Sequence, residues 1–368
     1  MLQRESVARS WRRRLCDAPA VVKLTAVDLF CGAGGLTVGL RRAGFAVLGA
    51  IDLDSLAVRA YRANHPGTTV WEGDIRRRDP AEMRSSLGLA PGELDLLAGC
   101  PPCQGFSSMR TLNGRRPAAD SRNALVAQIG RFAEEFRPRA VMMENVPALA
   151  RDRRSARLRR VLRKLGYGVV EDTLDAASFG VPQRRRRYIM VALRDGAPRL
   201  ARPDGRTRTV RDLIASLPPA GSSGDPLHDH GEHRTENVRE LIAAIPKDGG
   251  SRGDLPDERQ LACHRRTDGF HDVYGRMAWD CAAPTITGGC VNPSKGRFLH
   301  PVADRSITLR EAALLQTFPP DYRLPLNEVA GSGKYAIAEL IGNALPPEFV
   351  YRQARVIASS LRAREAVA

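Results

Sequence analysis

Two cysteines separated by two prolines carry the most reactive chemistry in this sequence. Cys100 and Cys103 lie in the segment GCPPCQGFS (99–107), which follows an apolar run at Leu94–Ala98. Three interpretations are open: a redox pair, half of a zinc site, or a single nucleophile at Cys103. A redox pair usually opens a helix, but the residues after Cys103 are typical of a turn. A zinc site needs two further ligands, and the chain has no second Cys-x-x-Cys.

A carboxylate follows another apolar run. Glu144 begins the segment ENVP (144–147), directly after Ala140–Met143. A carboxylate at the end of a strand, beside a thiol, can donate a proton to a substrate ring or accept one. An ordinary polar strand end is the alternative, and the segment taken alone favours that alternative.

Four consecutive arginines lead into a further apolar run, in the segment PQRRRR (182–187). Because alternate residues of a strand share a face, Arg185 and Arg187 should point to one side of the sheet. Arg184 and Arg186 should then point to the other side. One pair could serve a site while the other faces solvent or phosphate. A surface run of charge is the alternative.

A glycine-rich turn is the candidate cofactor site. The segment DLFCGAGG (28–35) lies between a predicted strand and a predicted helix, where glycines allow a ligand to approach the backbone closely. Asp52 follows the next strand and suits ribose hydroxyls, and Asp74 follows a third strand and suits an adenine amino group. The turn lacks both GxGxxG and a Lys-Ser/Thr pair, which favours another adenosine-containing cofactor over dinucleotides and nucleoside triphosphates. A turn needed only for packing is the alternative.

The elements that must position these residues alternate along the first half of the chain. Short apolar runs are separated by helix-like segments, which predicts an α/β fold with a doubly wound, mostly parallel sheet. Such sheets bind ligands at the carboxyl ends of their strands, so the loops after the apolar runs should carry the chemistry. The predicted strands are Leu24–Phe30, Phe45–Ile51, Leu94–Ala98, Ala140–Met143 and Tyr188–Leu193, and the predicted helices are Leu36–Ala43, Ser55–Ala63, Asn123–Phe136 and Arg157–Leu165.

The composition changes along the chain and predicts its domain organisation. Residues 1–22 are expected to form a basic tail, and residues 23–198 a cofactor-binding catalytic domain that the helical segment 333–362 completes. Residues 199–332 are rich in Gly, Pro, Asp, His and Arg, which predicts a smaller, irregular domain. A helix is predicted within it at Leu309–Gln316.

The charge of the chain indicates a polyanionic partner. It has 57 Lys+Arg against 41 Asp+Glu, a net charge of +16, and nucleic acid is the favoured partner. A generally arginine-rich proteome is the alternative. Residues 1–200 hold 35 basic and 20 acidic residues, whereas residues 201–308 hold 15 of each. No apolar run reaches the roughly 18 residues of a membrane helix. The seven cysteines do not resemble a secreted disulfide framework, so we expect a soluble, cytoplasmic protein.

Taken in order, these segments resemble the DNA (cytosine-5)-methyltransferases of bacteria, either of restriction-modification systems or without a partner nuclease. The order of the family is DLFCGAGG, GCPPCQGFS, ENV and QRRRR, then a variable region, then ITLREAALLQTFPPDY and GNALPP. The resemblance runs from about Lys23 to about Arg352, and the combination of motifs is very specific. It implies a Rossmann-like catalytic domain dependent on S-adenosylmethionine, with residues 199–332 as a target-recognition domain.

The resemblance implies a set of cofactor-binding residues. Asp52 would take the ribose and Leu53 would pack on the adenine, whose edge Asp74 would hold. Many members have Glu in place of Asp52 and an aromatic residue in place of Leu53, a change expected to loosen stacking on adenine. The full implied set is Phe30, Gly32, Gly35, Asp52, Leu53, Asp74, Ile75, Pro102 and Asn343.

The resemblance also implies the catalytic residues. Cys103 would add as a thiolate to C6 of a flipped-out cytosine, so that C5 can take the methyl group. Glu144 would contact N3 and the amino group of the base, and Arg185 and Arg187 would bracket its O2 and a nearby phosphate. Flipping a base costs on the order of a few kcal/mol. The polar, basic segment 107–123 is therefore predicted to be a mobile loop that closes over the nucleotide.

Double-stranded DNA is the implied partner, and a cognate restriction endonuclease is a candidate second one. One chain holds every part, so a monomer with no obligatory protein partner is expected. Arg276 is a further candidate for reading bases, with Asp268 and His271. The candidate DNA-binding residues are Gln104, Ser107, Arg110, Arg115, Arg116, Arg265 and Arg266.

Three other functions stay open at this point. They are a tRNA cytosine methyltransferase, a non-catalytic DNA-binding protein on the same scaffold, and a redox protein that uses both cysteines of the Cys-x-x-Cys segment. The long variable region favours a reader of duplex DNA, and the presence of every catalytic residue favours an enzyme. No metal is expected. The spacing in HDHGEH (228–233) matches no zinc pattern, so its histidines are predicted to be exposed loop residues.

Overall fold

The computed structural model describes residues 24–102, 125–260, 272–328 and 333–365. Its centre is a seven-stranded sheet in the order β3-β2-β1-β4-β5-β7-β6. The strands are β1 (Leu24–Leu29), β2 (Phe45–Asp52), β3 (Thr69–Glu72), β4 (Leu96–Gly99), β5 (Ala140–Asn145), β6 (Gly168–Asp175) and β7 (Arg186–Leu193).

Strand direction confirms the predicted fold class. The neighbours from β3 to β5 all pair in parallel, and β7 alone runs antiparallel to both β5 and β6. Strand order reverses between β1 and β4. At such a switch point the carboxyl ends of two strands diverge and leave a crevice for a ligand.

Helices cover both faces of this sheet. On one face the helices before and after β2 are α1 (Gly35–Arg42) and α2 (Ser55–Asn64), whereas α3 (Pro80–Ser86), which follows β3, lies on the opposite face. The other described helices are α4 (Val126–Phe136), α5 (Arg153–Lys164), α6 (Arg211–Ile214), α7 (Pro226–Asp229), α8 (Glu236–Ala244), α9 (Leu309–Leu315), α10 (Gly333–Asn343) and α11 (Pro347–Glu365). None of the described helices is long and apolar enough to cross a membrane.

Apolar burial explains why five of the seven strands are apolar runs in the sequence and two, β3 and β6, are not. The residues of β4, β5 and most of β1 are fully buried, so their sequences are continuous apolar runs. Strand β6 is an edge strand with the sequence GVVEDTLD, and its side chains are mostly half-buried. It pairs only with β7 and has no apolar run, and the sequence analysis did not predict it.

Three hydrophobic clusters hold the elements together. One lies between the sheet, α1 and α11, and a second lies between the opposite face, α4 and α5. The third cluster joins residues 199–328 to the cofactor side of the sheet. It contains Ala33 and Val38 together with Leu309, Phe318 and Ile337. The segment before α9 and the chain after it therefore pack directly on the glycine-rich turn and α1.

Candidate active site

The glycine-rich turn after β1 is shaped for close approach by a ligand. Three consecutive even-numbered residues have left-handed backbones: Phe30 (φ 64°), Gly32 (φ 52°) and Gly34 (φ 98°). A Cβ on Gly34 would lie 2.4 Å from Nε2 of His65, so only glycine fits there. A Cβ on Gly32 would meet no atom within 4 Å. The backbone at Gly32 therefore faces open space that a cofactor can fill.

Asp52, at the end of β2, braces this turn. One carboxylate oxygen accepts from the Gly32 N–H at 2.8 Å, and the other accepts from the Asp54 N–H at 2.9 Å. Burial raises the pKa of Asp52, while these backbone N–H groups oppose the rise. The next residue, Leu53, is 68% exposed. An exposed leucine beside a braced carboxylate offers an apolar surface for an adenine ring and an acceptor for a ribose.

The turn after β3 adds a second carboxylate and a buried apolar residue. Asp74 accepts from the backbone N–H of Arg76 at 2.9 Å and from its guanidinium at 2.6 Å, and this contact lowers the pKa of Asp74. Ile75 is buried beside it. A carboxylate has about four acceptor positions, so an adenine amino group would share Asp74 with Arg76.

The sequence analysis missed Arg131, which fixes this second turn from α4. Its guanidinium donates to the carbonyls of Ile75, Arg76 and Arg78. The described part of α4 begins directly after the segment that contains Cys103. Arg131 therefore links α4 to the turn that carries Asp74. In the sequence, the one signal that could have identified Arg131 as a functional residue is its position at the border of the apolar face of α4.

A buried polar network lies beneath the glycine-rich turn. One oxygen of Asp28 accepts from the Thr37 hydroxyl at 2.7 Å, and that hydroxyl is 2.8 Å from the Tyr61 hydroxyl. Among the described residues the other oxygen of Asp28 has no hydrogen-bond partner. Burial raises the pKa of Asp28 to about 8. A cationic ligand above the turn would favour its ionised form.

The far end of the chain returns to the same turn. A Cβ on Gly35 would lie 2.7 Å from the carbonyl oxygen of Leu345, so the segment after α10 touches the start of α1. Asn343, the last residue of α10, is exposed. Pro102 is exposed at the end of the described segment after β4. These positions border the crevice between β1 and β4.

Glu144 and Arg187 form a charged pair at the edge of the sheet where the parallel strands have their carboxyl ends. Glu144 lies near the carboxyl end of β5 and is buried, and Arg187 lies near the start of the antiparallel β7. Because β7 is antiparallel, its first residues meet the last residues of β5. Nε of Arg187 is 2.9 Å from the Glu144 carboxylate. The arrangement places a carboxylate and a guanidinium side by side at one position of the edge.

Asn145 links this pair to the segment that follows β4. Its amide Nδ2 donates to the Pro101 carbonyl at 2.9 Å, and its Oδ1 accepts from the Val146 N–H at 2.8 Å. Both contacts are buried or nearly so. Asn145, the second residue of ENV, therefore holds Pro101 close to Glu144. Pro101 precedes Cys103 by two positions in the sequence. The sequence analysis gave this asparagine no role.

Arg185 has a different environment from the one predicted. Arg184 and Arg186 are exposed, whereas Arg185 is buried and donates to the carbonyls of Ile286 (2.8 Å), Gly342 (2.8 Å) and Ala344 (3.1 Å). The predicted role of Arg185, to bracket the base and a phosphate, stays a prediction beside these contacts with the backbone. Its guanidinium is used to fix the backbone on both sides of Asn343.

Cys100 lies close to Glu144 but is not a poised nucleophile. Burial, and then the negative charge of Glu144, raise the pKa of Cys100 well above its ordinary value. A reactive thiol needs the opposite shift. The environment of Cys100 therefore weighs against a redox pair and against a second nucleophile in the Cys-x-x-Cys segment.

Two predictions for the irregular region are wrong. Arg276 was a candidate for reading bases, but it is 0% exposed, and its guanidinium donates to the carbonyls of Ile242, Ile245, His300 and Ala303. His228 was predicted to be exposed, but it is buried between the Thr308 hydroxyl (2.8 Å) and the Pro218 carbonyl (2.9 Å). Both side chains supply hydrogen bonds that the irregular backbone needs.

Several predicted residues lie outside the described residues. They are Cys103, Gln104, Ser107, Arg110, Arg115, Arg116, Arg265, Arg266, Asp268 and His271, together with the loop predicted at 107–123. Within the described ranges, no group of three or more His, Cys, Asp or Glu side chains could hold a metal ion.

Comparison with known proteins agrees with this geometry. The profile of the family described as C-5 cytosine-specific DNA methylase matches residues 24–359. The Type II methylase M.HgiDII of Herpetosiphon aurantiacus is 36% identical over 348 residues, which cover 91% of this chain and 94% of that protein. The Type II methyltransferase M.AgeI of Thalassovita gelatinovora is 31% identical over 422 residues, covering 87% of this chain and 96% of that protein.

Solved structures show the same fold. A DNA modification methyltransferase encoded within a prophage (E. coli) superposes with a TM-score of 0.65 at 22% identity, over 92% of this chain and 99% of that one. The chain therefore belongs to the family of C-5 cytosine-specific DNA methylases. Its relatives of highest identity described above are bacterial Type II methylases.

Proposed function

We propose that this protein transfers a methyl group from S-adenosylmethionine to C5 of cytosine in double-stranded DNA, at a specific sequence. The Glu144–Arg187 pair carries the proposal, because the Asn145–Pro101 hydrogen bond places it beside the segment that contains Cys103. Family membership favours this function over a tRNA methyltransferase.

The described residues fit the cofactor. The open backbone at Gly32, the exposed Leu53 and the carboxylates of Asp52 and Asp74 would hold its adenosine part. Phe30, Ile75, Gly35, Pro102 and Asn343 would complete the site. The sulfonium of bound S-adenosylmethionine supplies the electrophilic methyl group. Asp28 beneath the turn has an unpartnered carboxylate oxygen that favours a cationic ligand.

The residues of the chain activate the base. The Cys103 thiolate adds to C6 of a flipped-out cytosine, which converts the ring into an enamine with a nucleophilic C5. Glu144 hydrogen-bonds the N3 side of the ring, and Arg187 donates to O2, so that both groups stabilise charge that develops during the attack. After methylation the C5 proton leaves, and the electron pair of that C–H bond expels the Cys103 thiolate.

The remaining parts of the chain would bind the duplex. The excess of basic residues lies in residues 1–200 and would contact phosphates, which position DNA without reading it. Arg110, Arg115 and Arg116 belong to this group, with Gln104 and Ser107. Residues 199–332 would read bases, with Arg265 and Arg266 as candidates. We propose a monomer that works in the cytoplasm, paired in function with a cognate endonuclease.

Methyl transfer from radiolabelled S-adenosylmethionine tests the function. Mixed-sequence duplex DNA and tRNA are supplied in parallel to the wild type, to Cys103→Ser and to Cys100→Ser. We expect label at cytosine C5 of DNA with wild type, no label with Cys103→Ser, and label retained with Cys100→Ser. Label on tRNA alone would assign the protein to RNA. Equal loss in both cysteine variants would support the redox interpretation.

A further inference from the structure

A second concave site lies at the opposite edge of the sheet. A cavity of about 600 Å³ is lined by Leu193 at the end of β7, by the segment after it, and by the second half of α11. Seven strand positions run from Arg187 to Leu193, which at about 3.3 Å per residue spans about 20 Å. The Glu144–Arg187 pair and the cavity are therefore at opposite ends of β7.

The side chains of this cavity carry one sign of charge. Five arginines line it and no carboxylate does: Arg199, Arg202, Arg352, Arg355 and Arg364. Arg352 is neutralised by Glu348 at 2.7 Å and Asp204 at 2.6 Å. Within the described part of the chain the other four form no ion pair. These four arginines are exposed to solvent, and their like charges, gathered at one site, would attract a polyanionic ligand.

Helix electrostatics explain only part of this cluster. Cations are favoured in the last turn of a helix, where the carbonyl ends carry partial negative charge. Arg364 stands in the last turn of α11, and its guanidinium lies against Gly196. Arg355 is more than two turns earlier, and Arg199 and Arg202 come from the segment after β7. The favourable electrostatics of a helix end therefore do not explain why Arg355, Arg199 and Arg202 lie in this cavity.

The rest of the lining indicates the class of ligand. Leu193, Ala201 and Val356 give the cavity an apolar part, and Ser359 and Ser360 add hydroxyl groups beside the arginines. Its volume falls within the roughly 300–1,000 Å³ of small-molecule sites and far exceeds that of a lone phosphate. Arginine is the residue best suited to bidentate phosphate contacts. A ligand with an organic part and several phosphate charges matches these features.

We propose that this cavity is a binding site for a nucleoside polyphosphate, separate from the methyl-transfer site. The arginines Arg199, Arg202, Arg355 and Arg364 contact the phosphates, and the apolar part of the cavity contacts the nucleoside. S-adenosylmethionine does not compete for it, because a cationic sulfonium is repelled by the arginines.

Calorimetric titration of the full-length chain with GTP tests the proposal. S-adenosylhomocysteine is present at saturation, so that the adenosine site is filled. We expect one GTP per chain with a Kd in the micromolar range. The double variant Arg199→Ala/Arg355→Ala should weaken binding by at least about tenfold, because charge-assisted hydrogen bonds are strong. The control Arg239→Ala/Arg323→Ala removes the same charge from exposed arginines elsewhere and should leave the Kd unchanged.

Three ligands complete the experiment. Guanosine should not bind detectably, and inorganic triphosphate should bind more weakly than GTP. A short DNA duplex should not displace GTP. No binding of GTP, equal weakening in both double variants, or triphosphate as tight as GTP would each overturn the proposal. Displacement by duplex, with duplex affinity lost in the Arg199/Arg355 variant, would instead assign the cavity to DNA.

Discussion

Charged side chains serve different ends in the two parts of this molecule. In the sheet, backbone N–H and C=O groups pair in strand ladders, so a side chain at a strand end stays free for chemistry. Residues 199–260 and 272–328 have short helices and isolated bridges. Their carbonyls are met by side chains, above all by the guanidinium of Arg276. Arg187 at the sheet edge pairs with a carboxylate, whereas Arg276, like Arg131 and Arg185, donates to carbonyls that have no strand partner.

The pattern extends beyond one arginine. Arg310 donates to the Tyr322 carbonyl and pairs with Asp225, and Arg305 makes a bidentate pair with the buried Glu311. Arginine has five N–H donors in a fixed fork and suits this use. A charged residue in an irregular region is thus a weak indication of a binding surface, whereas a charged residue after a buried strand is a strong one.

The largest effect is expected from Glu144→Gln at the sheet edge. Glutamine keeps the shape but loses the charge that pairs with Arg187. We expect kcat to fall by about 10³-fold, within the range for loss of a proton-transferring group, with cofactor affinity unchanged. Single-turnover methylation measures this. Glu134→Gln, an exposed position on α4, is the matched control. A similar kcat in both variants would remove Glu144 from the chemistry.

Arg276→Met should unfold the irregular region first. The substitution leaves four carbonyls without the guanidinium that donates to them, while Asp304 keeps its contact with Lys247. Each buried carbonyl that loses its hydrogen bond costs about 1–3 kcal/mol. Urea unfolding can be followed by the fluorescence of Trp279 in a Trp11→Phe/Trp71→Phe background. Arg239→Met, a surface pair in the same region, should change the midpoint little. Equal shifts in the two variants would contradict the structural role of Arg276.

Low pH should destabilise the same region, because His300 is folded in its neutral form. Its Nδ1 accepts from the Val302 N–H at 3.2 Å and the Ala303 N–H at 3.0 Å, which requires the neutral ring. Burial lowers the pKa of His300 from 6.5 to about 4. The unfolded chain takes the proton below pH 6.5 and the folded one resists until about pH 4, so stability is lost as pH falls through this window. Trp279 fluorescence should show this loss, and His300→Gln should reduce it; an unchanged pH profile would contradict it.

The smallest effect is expected at Leu53. Leu53 is 68% exposed, so it can contribute to ligand binding through the apolar surface that it offers. Leu53→Ala should weaken S-adenosylhomocysteine binding by about fivefold, since burying most of a leucine side chain is worth about 1 kcal/mol or more. Leu53→Phe should strengthen binding. Val302→Ala removes a comparably exposed residue from the irregular region and should have no effect in calorimetry. Equal affinity for Leu53→Ala and wild type would exclude this contact.

The features that the sequence predicts lie mostly in the sheet, and those that it does not predict depend on contacts between distant residues or lie in the irregular region. Buried parallel strands are continuous apolar runs, so the glycine-rich turn, Asp52, Asp74 and Glu144 could be placed at strand ends without a structure. The Asn145–Pro101 bond and the Arg131 contacts join residues far apart in the chain, and no local pattern predicts them. Arg276 and His228 have sequence surroundings typical of exposed loops. Their burial depends on packing that only the folded chain defines.

Covalent trapping tests the central claim most directly. A duplex is made with 5-fluorocytosine in place of cytosine, so that no proton can leave C5 after methylation and Cys103 cannot be expelled. The protein should then form a covalent adduct with the duplex that requires S-adenosylmethionine, carries the label of its methyl group and is absent in Cys103→Ser. An adduct that maps to Cys100, or no adduct while tritiated methyl still reaches normal DNA, would contradict the assignment of Cys103.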